Sequence, residues 1–255
     1  MRVFGAAVRL QLRIVRSDPD HLMPLVTVPL FSVTFLAIVR HAGRDDLTGY
    51  ALLAPVLIAL WQLSLLDSGE VIAEDRWQGV LEAVLAAPAN IAVVVVGRVF
   101  AVTGVSLLAF VEVWLVARVL FGVAIEIHHP LVFALTLAAS VVAMSGTALI
   151  MAGLFVLARS ARTFQNSLSY PFYVLGGVLV PVSFLPDWLE PVSSAVFLSW
   201  SADLLRDSLQ PDAVSDVLAR VTMILALGAA GAAAGGLLLR FILRRVRRTG
   251  SLAYA

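Results

Sequence analysis

The strongest constraint on the fold of this chain is a succession of six long apolar stretches with little polar sequence between them. They cover residues 22–39, 50–66, 91–120, 130–158, 164–182 and 221–243. Each is close to, or longer than, the roughly 20 residues that a helix needs to cross a bilayer core. Hydrophobic residues make up 60% of the 255-residue chain and charged residues 14%, which is outside the range of soluble domains. We therefore predict an all-α membrane protein with six transmembrane helices, in a single domain over residues 1–255.

The arginines orient these spans, because the cytoplasmic loops of membrane proteins carry an excess of basic residues. An even number of spans puts both termini on one side of the membrane. If that side is the cytoplasm, thirteen of the 18 basic residues fall at the inner ends of the spans and five at the outer ends. The pattern predicts a multi-pass protein of the plasma membrane with both termini in the cytoplasm.

Residues 1–20 precede the first span and carry a helical pattern of charge. At about 100° per residue the arginines fall within a narrow arc, and apolar side chains gather on the opposite face. This pattern predicts an amphipathic helix that lies in the membrane interface in contact with lipid. The alternative is a plain cytoplasmic extension of the first span. The arginines concerned are Arg2, Arg9, Arg13 and Arg16.

Residues 67–90 separate the second and third spans and contain the sequence EDRWQGVLEAVLAAP. Apolar side chains recur at helical spacing along one face, beside a polar, acidic face. We interpret the segment as a cytoplasmic coupling helix that docks on another protein, with a glycine that permits a bend and a proline that ends it. The predicted docking residues are Glu74, Asp75, Arg76, Trp77, Gly79, Leu81, Glu82, Leu85 and Pro88. In the alternative, a divalent cation binds Asp67, Glu70, Glu74, Asp75 and Glu82, although the pattern of a calcium loop is missing.

Residues 183–216, between the fifth and sixth spans, are too interrupted by proline to cross a bilayer and too apolar for an ordinary loop. They predict a pair of short re-entrant or interfacial helices on the extracytoplasmic side, with tryptophan at headgroup level. The alternative is a loop on the membrane surface with no part in transport. The residues singled out for this region are Pro181, Pro186, Trp188, Leu189 and Pro191.

Charged and small residues inside the spans have expected roles as well. Arg98 is expected to snorkel to the headgroups as an anchor, with a paired or conformational role as the alternative. Glu112 follows near the outer end of the same span and is expected at the interface rather than in a proton relay. A glycine stripe in the sixth span favours close packing inside one subunit over dimerisation. It consists of Gly228, Gly231, Gly235 and Gly236.

Two motifs resemble the permease subunits of ABC type-2 exporters, a family that includes drug-resistance, polysaccharide and lipid-linked exporters. In the first, residues 74–88, an acidic–basic pair precedes Gly-x-Leu-Glu and a closing proline. The second is PFYVLGGVLVPVSFLPDWLEPVSSAVFLSW, residues 171–200, with a Leu-Pro-x-Trp-Leu turn after the fifth span. With the N-terminal helix and the six spans, the resemblance covers nearly the whole chain. Val80 and Ala87 stand where threonine is common in the family.

The resemblance implies that residues 74–87 dock on a cytoplasmic ATPase, present in two copies, and that two permease subunits pair as a homodimer or heterodimer. ATP and Mg would bind in the ATPase, because this chain has no lysine and a phosphate-binding loop requires one. No catalytic residue, metal site, cofactor or nucleic-acid partner is expected in this chain. The resemblance also places the first, second and fifth spans beside the pathway, with helix-kinking prolines at Pro24, Pro29, Pro55, Pro171 and Pro181.

Three other classes of protein stay open as alternatives. An ion-driven transporter would normally show ionisable residues near the midplane and internal repeats. A membrane enzyme would need a reactive centre, and its best candidate is a metal group of Glu126, His128 and His129, which lacks a further ligand. A non-transporting scaffold is the third. The apolar, aromatic-containing spans favour ATP-driven export of an amphipathic drug-like, lipid or glycolipid/polysaccharide substrate.

Overall fold

The computed structural model of the chain describes residues 2–17, 23–77, 91–123, 125–157 and 161–249. These ranges contain α-helices, short 3-10 turns and loops, and no strand, which confirms the all-α prediction. The described helices are α1 (Arg2–Ser17), α2 (Met23–His41), α3 (Thr48–Trp77), α4 (Ile91–Ser106), α5 (Leu108–Leu120), α6 (Pro130–Leu157), α7 (Ala161–Leu175), α8 (Glu190–Ser194), α9 (Phe197–Asp207) and α10 (Val217–Thr249).

Three helical stretches in the described part of the chain are long and apolar enough to cross a membrane. They are Val93–Leu120, Pro130–Met151 and Val217–Phe241. Two shorter apolar helices, Leu25–His41 and Thr48–Ser64, correspond to the first and second predicted spans. The chain is thus an integral membrane protein, and the count of six spans stays a prediction.

Helix α3 forms the centre of the bundle. It packs against α2, α4, α5, α6, α7 and α9. Every residue from 51 to 61 is buried, and Leu57, Leu60, Trp61 and Leu63 are among the largest fully buried side chains. Burial of each large apolar side chain stabilises the bundle through close packing and, where water is displaced, by about 1.5–3 kcal/mol. The helix therefore holds the rest of the bundle in place.

The third predicted span, residues 91–120, is one apolar stretch but two helices, because the helical hydrogen-bond pattern is interrupted at Leu107. The hydroxyl of Thr103 donates to the carbonyl of Val99 (2.8 Å), and that of Ser106 donates to Thr103 (2.7 Å). The amide of Leu107 then bonds to Gly104, three residues back, at 3.3 Å. The interruption divides the apolar stretch into α4 and α5.

The fifth predicted span, residues 164–182, is wrong at its end, because α7 stops at Leu175. Gly177 adopts φ +61°, and the amide of Val178 bonds to the carbonyl of Tyr173 (3.0 Å), which is a glycine-based helix stop. The chain then makes two 3-10 turns, Val182–Phe184 and Asp187–Leu189, before α8 and α9. The irregular region thus begins at Gly176, not at residue 183, and contains four short helical pieces instead of two.

Helices α6 and α10 make the most extensive helix–helix contact among the described elements. A Cβ added at Gly231 would lie 3.3 Å from the Cα of Thr147, and one added at Gly235 would lie 2.6 Å from the backbone N of Ile150. One added at Gly228 would overlap Ala143. Three of the four predicted glycines therefore permit close packing inside the subunit, as expected, whereas Gly236 faces open space.

Candidate functional site

Helix α1 lies directly on the first turns of α4, and a glycine on α4 makes this possible. A Cβ added at Gly97 would lie 2.9 Å from the Cβ of Ala7 and 3.1 Å from the carbonyl oxygen of Phe4. The ring of Phe4 also packs against the ring of Phe100, with centroids 5.7 Å apart. The amphipathic helix predicted from residues 1–20 is therefore present as α1, and part of its apolar face is covered by α4.

The sequence predicted that Arg98 snorkels to a membrane surface, and this prediction is wrong. The side chain lies beneath α1 and is only 4% exposed. Its Nε donates a hydrogen bond to Oε1 of Gln11, which is 1% exposed, at 2.8 Å. A buried guanidinium in a bundle requires such acceptors, because desolvating a charge is costly. Gln11 lies 87 residues before Arg98 in the sequence, so this hydrogen bond is a long-range contact between α1 and α4.

The opposite face of α1 is basic and accessible. The side chains of Arg9, Arg13 and Arg16 are exposed, and the side chain of Arg2 lies outside the described part of the structure. Arg9 donates from Nε to the carbonyl of Gly5 at 3.2 Å, within its own helix. The arc of arginines predicted from sequence is therefore directed away from the bundle, which leaves it available to lipid headgroups or to another protein.

The predicted coupling segment is described only at its start. Glu74, Asp75, Arg76 and Trp77 form the last turn of α3 rather than the start of a separate helix, and nothing further is described of their side chains. Gly79, Leu81, Glu82, Leu85 and Pro88 lie outside the described residues. The docking prediction, and the alternative of a cation site there, both stay predictions. What the structure adds is continuity, because α3 joins this segment directly to the centre of the bundle.

An aromatic cluster surrounds Trp61, in the middle of α3. Its ring stacks on Phe172 of α7 (centroids 4.9 Å apart) and on Phe197 of α9 (6.2 Å), and meets Tyr173 edge-on (6.5 Å). The indole Nε1 of Trp61 is buried and has no hydrogen-bond partner among the described residues. The cluster therefore joins α3, α7 and α9 by ring contacts. One polar donor at its centre is unused.

Arg206 of α9 forms a polar junction at the end of the bundle where α3 and α10 begin. Its guanidinium lies 3.8 Å above the ring centroid of Tyr50, donates to Asp203 (2.8 Å) and donates to the carbonyl of Gly177. Asp207 of the same helix accepts a 2.5 Å hydrogen bond from Arg220 of α10. These contacts attach α9 to α3, to the turn after α7, and to α10.

Charge and burial act against each other at this junction. Arg206 is 5% exposed, so burial lowers the pKa of its guanidinium, and the neighbouring Tyr50 and acidic residues oppose that shift. Burial likewise raises the pKa of the Asp203 carboxyl, and Arg206 opposes the rise. Mutual pairing therefore opposes the effect of burial on the pKa of both groups.

The model of the ABC-2 type transporter family matches residues 6–209, which include most of α1, the Trp61 cluster and Arg206. The chain belongs to this family. No curated protein matches the sequence. As an ABC-2 permease the chain is the membrane-embedded, non-catalytic component of an ABC-type transporter.

The alternative metal site finds no support in this ABC-2 permease. Among the described residues, no group of three histidine, cysteine or acidic side chains is placed to hold a metal ion. His128 and His129 instead bond through one ring nitrogen each to backbone carbonyls, of Leu209 and Asp212, both at 2.9 Å. The two histidines therefore attach the loop between α5 and α6 to the chain after α9.

Glu112, expected at the interface, is partly buried in the ABC-2 permease, and its Oε2 has no hydrogen-bond partner among the described residues. Of the residues singled out in the region after α7, Pro186, Trp188 and Pro191 are exposed, whereas Pro181 and Leu189 are half-buried. Trp188 is 72% exposed, which suits the predicted headgroup position.

Sequence reasoning missed Trp61 and Arg206. A signal was present for Trp61, because a single tryptophan followed by Gln62 interrupts a stretch of aliphatic residues. Arg206 was counted only as one of the outer arginines. Its spacing from Asp203, three residues earlier on a predicted short helix, was the signal for a local pair.

We predict that Gly97→Leu separates α1 from α4. The added side chain must displace Ala7 or the backbone of Phe4, which costs about 1–3 kcal/mol of local packing. Trypsin cleaves after the exposed arginines of α1, so digestion of detergent-purified protein at these sites should become about tenfold faster. Gly104→Leu is the matched control, because a Cβ at Gly104 meets nothing within 4 Å. Equal digestion rates for the two variants would contradict the packing described here.

Proposed function

We propose that this permease pairs with a second permease subunit and with two copies of a cytoplasmic ATPase, and exports an amphipathic drug-like, lipid or glycolipid/polysaccharide substrate. The family assignment is the observation that carries the proposal, because ABC-2 permeases normally work with a cytoplasmic ATPase. ATP and Mg belong to the ATPase in this proposal. The α1 end of the bundle faces the cytoplasm of the cell, and both termini lie there.

The continuity of α3 suggests how ATP hydrolysis is coupled to the bundle. This helix has 30 residues and a length of about 45 Å. It runs from the proposed docking segment at Trp77, past the aromatic cluster of Trp61, to Tyr50 beneath Arg206. Movement of the docking segment by the ATPase is therefore transmitted along one helix to both ends of the bundle. Two alternative packings of that helix would provide inward-open and outward-open states.

The aromatic cluster supports an amphipathic substrate. Trp61, Phe172 and Tyr173 come from the second and fifth predicted spans, which the family resemblance places beside the pathway. Tyr170, one turn before Tyr173 on α7, is 69% exposed, and its ring contacts that of Tyr173 edge-on (6.3 Å). Aromatic faces bind apolar and cationic groups without requiring a charged partner. We place the substrate against this face of α7.

We predict that Leu81→Asp and Glu82→Arg uncouple the transporter without affecting insertion into the membrane. A charge in the apolar face, or a reversed charge beside it, removes a contact that the ATPase would need, and central contacts of this kind are commonly worth 2 kcal/mol or more. Association of the ATPase and substrate-stimulated ATP hydrolysis should both fall by about tenfold or more. The measurement is co-purification in mild detergent followed by ATPase assay in vesicles.

Glu190→Arg is the matched control for these two variants, because Glu190 is an exposed glutamate at the opposite end of the bundle. It should leave coupling unchanged. Recovery of a P-loop ATPase in near-equal amount with the native protein supports the exporter. Its reproducible absence with intact protein would favour an ion-driven transporter or a scaffold. Normal coupling in both docking variants would contradict the docking role of residues 74–87.

A further inference from the structure

Two adjoining cavities open at the α9 end of the bundle, away from the Trp61 cluster. Their volumes are about 410 Å³ and about 420 Å³, and Leu52, Ile125 and Leu209 line both of them. The shared lining makes them one elongated groove. It is bounded by the start of α3, by α5, by the start of α6, and by the chain after α9.

The deeper half of the groove is apolar and opens to the side of the bundle. Its lining includes Phe110, Phe133 and Leu137, with the rings of Phe110 and Phe133 in edge-on contact at 5.3 Å. Val111 and Trp114 line its mouth, and they are 54% and 49% exposed. Because α5 belongs to a stretch apolar enough to cross a membrane, this mouth faces lipid. A hydrocarbon chain is the ligand that such a half-groove accepts.

Two acidic side chains, Asp46 and Glu126, line the outer half of the groove. Glu126 presents a carboxylate that is 76% exposed, 3.8 Å from Nε2 of His128. Arg206 lines the same half from a buried position, where Asp203 and the carbonyl of Gly177 accept its hydrogen bonds and its Nε is buried. His128 donates from Nδ1 to the carbonyl of Leu209, and its Nε2 faces the carboxylate of Glu126. The outer half therefore offers acceptors to a cation: two carboxylates and Nε2 of His128.

We propose that this groove binds one membrane phospholipid with a zwitterionic ethanolamine headgroup. An acyl chain occupies the apolar half, against Phe110 and Phe133. The ammonium group pairs with the carboxylate of Glu126 and donates a hydrogen bond to Nε2 of His128, which is free to accept because Nδ1 carries the proton. The site is separate from the proposed substrate face on α7, and the inference does not depend on the identity of the ATPase.

The test is native mass spectrometry of the full-length protein released from detergent after incubation with an equimolar mixture of phosphatidylethanolamine and phosphatidylglycerol. The wild-type chain should retain one phosphatidylethanolamine with about tenfold preference, the size expected for one charge-assisted contact. Glu126→Gln should abolish that preference, because the ammonium loses its carboxylate. Glu190→Gln, at an exposed glutamate outside the groove, should keep it.

A second pair of variants tests the apolar half. Val111→Trp fills the mouth and should reduce retention of the lipid by about tenfold, the loss expected when an acyl chain is displaced from its cavity. Val119→Trp lies on the same helix at a 72% exposed position outside the groove and should behave like wild type. Equal retention of the two lipids by the wild-type chain, or equal effects of the two tryptophans, would overturn the proposal.

Discussion

Replacing Gly235 with leucine is expected to lower the free energy of unfolding by about 3 kcal/mol or more. The added side chain would collide with the backbone of α6. A Cβ at this position would lie 2.6 Å from the backbone N of Ile150 and 2.6 Å from the carbonyl carbon of Leu149. Neither atom can move without displacing α6, so the two helices must separate along their shared face.

The neighbouring residue provides the control. Gly236 is on the same helix, one residue further along, and a Cβ there meets nothing within 4 Å. Gly236→Leu should therefore leave stability within about 1 kcal/mol of wild type, and the better helix propensity of leucine acts in its favour. The free energy is measured by reversible unfolding in mixed detergent micelles with increasing denaturing detergent. Similar losses for both leucine variants would show that helix packing is not the cause.

The contrast between these two glycines shows what a sequence pattern can predict. A stripe of small residues indicates that two helices approach closely, and the α6–α10 contact confirms it. The pattern could not separate Gly235 from Gly236, because adjacent residues on a helix differ by about 100° and the partner helix was unknown. Hydropathy located the helices equally well, since apolar stretches long enough to span a membrane must satisfy their own backbone hydrogen bonds.

The predictions failed where a helix ends or is interrupted inside an apolar stretch. A hydropathy window averages composition, so it did not detect the helix stop at Gly177 or the interruption at Leu107. Arg98 was misplaced for a different reason. An arginine near a span end snorkels unless an acceptor is nearby, and its acceptor, Gln11, lies on a helix that the sequence placed against lipid. A local sequence pattern cannot predict a polar contact between two residues that lie far apart in the sequence.

Arg206→Met is expected to release α9 from the bundle and to lower the free energy of unfolding by about 3 kcal/mol. Methionine keeps much of the apolar stem but removes the hydrogen bonds to Asp203 and to the carbonyl of Gly177, together with the cation–π contact on Tyr50. Removing one partner of a fully buried ion pair commonly costs 3–5 kcal/mol. We expect a loss at the lower end of this range, because the Asp203 side chain is 47% exposed and can be hydrated once Arg206 is replaced.

Two further variants and a local readout distinguish this role from general destabilisation. Arg44→Met removes an ion pair with Asp46 at the same end of the bundle, and should have no measurable effect because both side chains are at least half exposed. Arg206→Lys keeps the charge without the planar fork, so it should recover only part of the loss. Amide hydrogen exchange in α9 should accelerate in Arg206→Met before exchange in α6 does. Uniform acceleration across the bundle, or full recovery by lysine, would contradict the assignment of Arg206 as the contact that attaches α9 to α3 and to the turn after α7.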